Sequence, residues 1–346
     1  MSETRRPVMA ADLYGDIEPD PQTRWRDVVP GLLIVVLGTL AAGFLSDHYH
    51  APLTLMALLI GLSLNFLSAD TRLAPGTAFA ARSLLRWGIV LVGVRITVGQ
   101  IADLGPAALV SIVAIVALVM GGGILAARRL GFSPGFGTLA AGAVAICGAS
   151  AALAIATTLG ERRASQAQLT LVLVGISAMS AAAMILYPLL AHALGLSDIK
   201  AGFMLGASIH DVAQSLGAGY SYSQGAGEIA AIVKLTRVAL LAPLLAIVAL
   251  FLPRGEAGRG GPILPWFVAG FFVMAAINSL GLIPPAVAIW AERAASALLA
   301  AAVTATALRS PLPKLMEAGP RPLLVILAAS MVALLASLAA AVWVVA

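Results

Sequence analysis

This chain of 346 residues is short of the materials that most proteins use for chemistry and for solubility: one cysteine, four histidines, and only 11% Asp, Glu, Lys and Arg. A soluble domain carries about 25% charge, so a chain this poor in it could not cover a water-facing surface. The lone Cys147 excludes internal disulfides and CxxC metal sites. His48, His50, His192 and His210 are the only imidazoles and no HExxH string occurs, which leaves no ligand set for a buried zinc. There is no GxxxxGK[ST] loop for ATP and no serine in a GxSxG elbow. The expectation is a protein that is not an enzyme and that holds neither a cofactor nor a metal.

Apolar residues are abundant instead, at 60%, with a mean hydropathy of +0.99. A bilayer-crossing helix needs about 20 mostly apolar residues. Candidate spans fall near 29–46, 52–68, 84–101, 106–127, 136–157, 167–193, 201–223, 228–252, 263–283, 287–308 and 320–345. The reading is an all-α, polytopic membrane helical bundle. Residues 1–27 form a polar cytoplasmic tail and 28–346 a single transmembrane domain. Lys and Arg sit in the gaps between apolar runs, so the net charge of +5 is no nucleic-acid footprint. Trp25, Trp87, Trp266 and Trp343 lie near span ends, where an amphipathic ring prefers the headgroup layer.

The gaps also carry an orientation signal. Arg5, Arg6, Arg24, Arg26, Arg72, Arg82, Arg128, Arg129, Arg254, Arg259, Arg309, Lys314 and Arg321 mark alternate gaps. By the positive-inside rule the N-terminus is cytoplasmic. One gap resists: if 136–157 crosses fully, Arg162 and Arg163 land outside. If 136–157 and 201–223 are re-entrant, they stay inside. Both arrangements stand, 11 spans or 9 spans with two hairpins.

An internal repeat is visible at a constant offset. Arg95, Asp103, Gly105, Pro106 and Leu109 recur as Arg309, Glu317, Gly319, Pro320 and Leu323. Each copy reads as a span end, a short amphipathic connector and a Gly-Pro helix start, where proline is cheap. In either arrangement an odd number of crossings separates the copies. They are therefore inverted repeats, a common plan for secondary transporters.

Two segments have the wrong chemistry for lipid-facing rods, and both are read as broken or re-entrant helices. Gly142–Ala151 is rich in small residues with Gly148 at its middle. It serves either as close-packing glue or as a break whose freed backbone groups hold a ligand. In Gly206–Gly219, His210, Asp211 and Gln214 interrupt an apolar stretch. A carboxylate at that depth costs a few kcal/mol. Asp211 is thus either a hydrogen-bonded structural group or a cavity-facing proton or cation site, with His210 suited to a proton role. Lys234 and Arg237, three residues apart, share a helix face. They either snorkel to the surface or turn inward, where Lys234 pairs with Asp211 or attracts an anion.

Five strings in this order resemble the YeiH-like family, which carries a sulfate-exporter label. They are LLRWGIVLVGVRIT (84–97), GAVAICGASAALA (142–154), GASIHDVAQSLGAGYSYS (206–223), IVKLTRVALLAPLL (232–245) and PWFVAGFFVMAAINSLGLIP (265–284). The resemblance runs from about residue 28 to the C-terminus and implies a multi-pass protein of the bacterial inner membrane. It further implies an exporter of a small inorganic or sulfur-containing anion, such as sulfate or an organosulfonate, with a proton or sodium as coupling ion. By the more distant likeness to sodium/bile-acid symporters, Cys147, Gly148 and Ser150 lie at one helix break and Asp211 in a second. Analogy alone also admits a homodimer, and the sequence does not give the oligomeric state. The expected function is a coupled secondary transporter with Cys147, Gly148, Ser150, His210, Asp211, Gln214 and Lys234 as its substrate and ion ligands. A cation/proton antiporter is the alternative within transport, and a membrane sensor or complex subunit the alternative outside it.

Overall fold

A computed structural model describes residues 24–49, 51–160, 162–250, 266–310 and 320–345, and every regular element among them is helical. The first five helices are α1 (Trp25–Tyr49), α2 (Leu53–Ser63), α3 (Ala74–Arg95), the short α4 (Val98–Asp103) and α5 (Gly105–Arg129). Next come α6 (Pro134–Ala145), α7 (Ala149–Leu159), α8 (Gln166–Ala193), α9 (Asp198–Ser208) and α10 (Val212–Tyr222). Then follow α11 (Gln224–Leu250), α12 (Trp266–Ser279), α13 (Pro285–Leu308) and α14 (Pro320–Trp343). Seven of these, α1, α3, α5, α8, α11, α13 and α14, are long and apolar enough to cross a membrane. The helix α1 begins at Trp25, and residues 1–23 of the expected polar tail lie outside the described residues. Residues 311–319, the connector of the second repeat copy, and Arg254 and Arg259 lie outside the described residues.

The helices form two groups. In one, α13 packs on α2 and α3, α12 packs on α3, and α1 lies against α2, α3 and α13; in the other, α5, α8, α11 and α14 surround α6, α7, α9 and α10. Outward faces are apolar: Leu33, Leu37, Leu40 and Phe44 of α1 recur at helical spacing and are exposed.

The two unusual segments are each a helical hairpin. Each of their four legs has 11 or 12 residues, about 17 Å at 1.5 Å per residue, half of the roughly 30 Å apolar core of a bilayer. In the first hairpin Gly148 turns the chain at φ +70°, a conformation that a side chain resists. The legs then run back-to-back: a Cβ on Gly142 would meet Ile155 Cδ1 at 2.2 Å, and one on Gly135 would meet the Arg163 carbonyl at 2.0 Å. In the second hairpin the Ser215 hydroxyl donates across the legs to the Leu205 carbonyl (3.1 Å). Its feet are joined where the Tyr222 hydroxyl donates to the Leu196 carbonyl.

Small residues let α9 lie directly on α11. Gly202 and Gly206, four apart, face Ala226 and Ala230, and a Cβ on Gly206 would sit 2.8 Å from the Ala230 carbonyl. Gly206→Val should therefore cost at least the 1–3 kcal/mol or so typical of overpacking. Gly121→Ala, with nothing within 4 Å of the new methyl, should be neutral or gain up to about 1 kcal/mol from helix propensity. Thermal unfolding of the two purified variants checks the contrast; equal midpoints would contradict the close approach.

Candidate functional site

The tips of the hairpins meet. Ile146, Cys147 and Gly148 turn the first and Ile209, His210 and Asp211 the second, and a Cβ on Gly148 would lie 3.7 Å from the Asp211 Cα and N. Each turn ends one short helix and begins another, so each exposes unpaired carbonyls on one side and unpaired N–H groups on the other. The two sides meet different surroundings.

On the carbonyl side stands α11. Lys234 Nζ donates to the carbonyls of Ile146 (3.0 Å), Ile209 (2.7 Å) and His210. One turn further, Arg237 Nε donates to Ala145 (3.0 Å) and Nη2 to Val144 (3.1 Å) and Ala145, while Nη1 reaches Ala207 and Gly206. Both side chains are wholly buried, and neither makes an ion pair among the described residues.

The N–H side faces a cavity of about 120 Å³ between the two helix groups. Cys147, Ala149 and Ser150 line it from one tip and Asp211 and Val212 from the other. The helix α7 starts without a side-chain cap. At the start of α10, Asp211 Oδ1 accepts from the Gln214 amide (3.1 Å), while the Asp211 amide donates to Ser180 Oγ (3.2 Å). Opposite the tips, Arg82 and Arg86 of α3 and Arg309 just beyond α13 complete the wall. Helix N-termini and guanidinium groups both favour an anion.

Cys147, Ser150 and Asp211, singled out from the sequence, thus share one cavity, and Gly148 supplies the turn between two of them. The other three do not reach it. His210 points the opposite way from Asp211, with Nε2 2.8 Å from Ser330 Oγ. That hydroxyl gives its own hydrogen to the Ile326 carbonyl (2.7 Å), so His210 Nε2 is the donor. Gln214 is buried, and its Oε1 has no partner. Lys234 turns inward, as one of its two sequence readings had it, and its contacts are backbone carbonyls of both hairpin turns.

Sequence reasoning missed the arginine wall. It placed Arg82 in a gap and started the span at residue 84, whereas α3 starts at Ala74. Arg82 lies within a π-turn at Ala80–Leu84 of the kind frequent at functional sites, Arg86 just beyond it, and both line the cavity. Their four-residue spacing was the available signal.

A second polar cluster forms at the far end of α3, away from the residues that line the cavity. Arg95 Nη2 is 2.8 Å from Glu292 Oε1 and 3.2 Å from Ser296 Oγ, and its guanidinium lies 5.7 Å from the Tyr220 ring centroid. Nearby, Gln100 Nε2 donates to Glu228 Oε2 (3.3 Å), and Thr54 Oγ1 ties α2 to the Gly217 carbonyl of α10 (2.8 Å).

The family model described as Conserved hypothetical protein 698 matches residues 29–326. The chain is 45% identical over 305 residues to the UPF0324 membrane protein TauZ of Paracoccus denitrificans, covering 86% of this chain and 90% of that one. It is 44% identical over 308 residues to TauZ of Paracoccus pantotrophus, covering 87% and 91%. It is 39% identical over 319 residues to a UPF0324 membrane protein of Chlorobaculum tepidum, covering 91% and 89%. No solved structure matches the chain. With seven helices of membrane-crossing length, this is a multi-pass membrane protein.

Proposed function

Because the chain belongs to the family described as Conserved hypothetical protein 698, whose relatives above are named as membrane proteins, we propose that it is a secondary transporter of a small anion. One observation carries this reading: a cavity at the meeting of two hairpin tips, walled by Arg82, Arg86 and Arg309 and by the N-termini of two short helices. A tetrahedral oxyanion such as sulfate, or the head of an organosulfonate, matches donors arriving from several sides. The protein is a carrier, not an enzyme.

In the proposed arrangement the seven long helices cross the inner membrane of a bacterium together with α12 and with α2, which the 3-10 turn Asn65–Ala69 prolongs, and the hairpins enter from opposite faces. The feet of the first hairpin then share the cytoplasmic side with Arg128, Arg129, Arg162 and Arg163, as the positive-inside rule asks. The cavity reaches from the tips to Arg309, which this arrangement puts on that same side, and this supports loading from the cytoplasm and export as the proposed direction. The Arg95 cluster then stands on the external side.

The packing supports an inverted repeat wider than the one read from Arg95 and Arg309. The helix α5 lies on α6 as α14 lies on α9, and α2 lies on α13 as α12 lies on α3. The copies are α2, α3, α5, first hairpin, α8 and second hairpin, α11, α12, α13, α14. The second begins with the hairpin that comes near the end of the first. It is circularly permuted, with its hairpin ahead of α11 where the first copy has its hairpin after α5.

Sulfate binding to the purified protein, followed by calorimetry, tests the reading. Arg82→Gln or Arg309→Gln should each weaken it roughly 10–100-fold, the worth of one charged hydrogen bond of about 1.5–3 kcal/mol. Tight binding that ignores both substitutions would remove the cavity from the mechanism. The presence of Asp211 in the cavity also keeps a cation/proton antiporter in view. Identifying which species leaves a loaded vesicle separates the two.

A further inference from the structure

In secondary transporters, unwound backbone and the C-terminal ends of half-helices are where coupling cations bind, because carbonyl oxygens and the negative end of the helix dipole converge there. This chain builds such a place. Carbonyls of Val144, Ala145 and Ile146 come from one hairpin and those of Gly206, Ala207, Ile209 and His210 from the other. The place is already filled by α11.

Lys234 Nζ meets three acceptors and no donor. Three carbonyl oxygens around one nitrogen leave no place for an amine's lone pair, so these contacts fit the ammonium form. Arg237, which stays protonated in proteins, spends Nε, Nη1 and Nη2 on the remaining carbonyls. Neither cation has a carboxylate within ion-pair distance among the described residues; carbonyls are their direct partners. A sodium ion entering here would lose its oxygen ligands to fixed donors and meet two positive charges at close range.

We infer that Lys234 and Arg237 are built-in substitutes for a coupling cation, so the protein binds no sodium between its hairpins and moves its anion without a sodium gradient. Asp211, the one carboxylate lining the cavity among the described residues, is then the group left to carry coupling, as a proton site. The transport half of this inference rests on the proposed function. The binding half does not.

The experiment uses the full chain purified in detergent, with thermal unfolding followed in NaCl, LiCl, KCl and N-methyl-D-glucamine chloride at equal ionic strength. The wild type should unfold at the same midpoint in all four; a sodium-specific, saturable rise would overturn the inference. Lys234→Ala vacates three carbonyls, and this variant should gain a sodium-dependent rise, since a ligand that binds only the folded state stabilises it. A folded Lys234→Ala protein indifferent to sodium would show that the carbonyls are no cation cage. If that variant does not accumulate, the wild-type titration still decides. In vesicles, anion efflux should run equally fast with and without sodium, and a strict sodium requirement would sink the inference. Failure to bind or move any anion, with sodium indifference intact, would count against the transporter reading alone.

Discussion

Arg237→Met is expected to leave little folded protein in the membrane. The side chain is wholly buried and bridges carbonyls at the ends of two helices, Val144 and Ala145 on α6 and Gly206 and Ala207 on α9. No water reaches this place to replace it, and an apolar isostere fills the space without offering a donor. A hydrogen bond from a charged group is worth about 1.5–3 kcal/mol. Losing three or more such bonds approaches the roughly 5–15 kcal/mol that holds a typical protein folded. Lysine should not rescue, because one ammonium cannot span carbonyls that a planar fork reaches from three nitrogens. Gel filtration of the solubilised variants is the measurement. Arg237→Met protein that is monodisperse and melts with the wild type would refute the bridging role.

Asp211→Asn should do the opposite, sparing the fold and abolishing coupled flux. Asparagine caps a helix as well as aspartate does, so its Oδ1 can still receive the Gln214 amide that Asp211 Oδ1 holds at 3.1 Å. What disappears is the charge and its capacity to take a proton. Asp211→Ala separates the two roles, since it removes the cap as well and should lower stability by about 1 kcal/mol. Counterflow in proteoliposomes reads the function and thermal unfolding reads the cap. Wild-type flux from Asp211→Asn would exclude Asp211 from coupling.

The contrast between these residues shows what could be read from the chain and what could not. The apolar segments read from the sequence all correspond to helices, because a backbone surrounded by hydrocarbon has to satisfy its own hydrogen bonds. Gly148 and the His210–Asp211 pair stood out because each violates the composition of a plain span. The direction the chain takes after Gly148 was hidden: a positive φ permits a turn without stating where the next leg will pack. Lys234 was flagged and its partners missed for a related reason. Backbone carbonyls have no residue identity, so no pattern of letters announces that two hairpin ends will converge on one ammonium. The arginine wall was overlooked because Arg82 was assigned to water when it belongs to a helix face turned away from lipid.

One helix, α11, grips both hairpins, Lys234 touching each turn and Arg237 each preceding leg. Such a clamp makes the turns a single mechanical part. Neither can swing aside by itself without breaking buried bonds on its neighbour. If the chain is the transporter proposed above, exposing its anion on the far face requires the whole clamped unit to slide as a carriage past the wall formed by α2, α3 and α13.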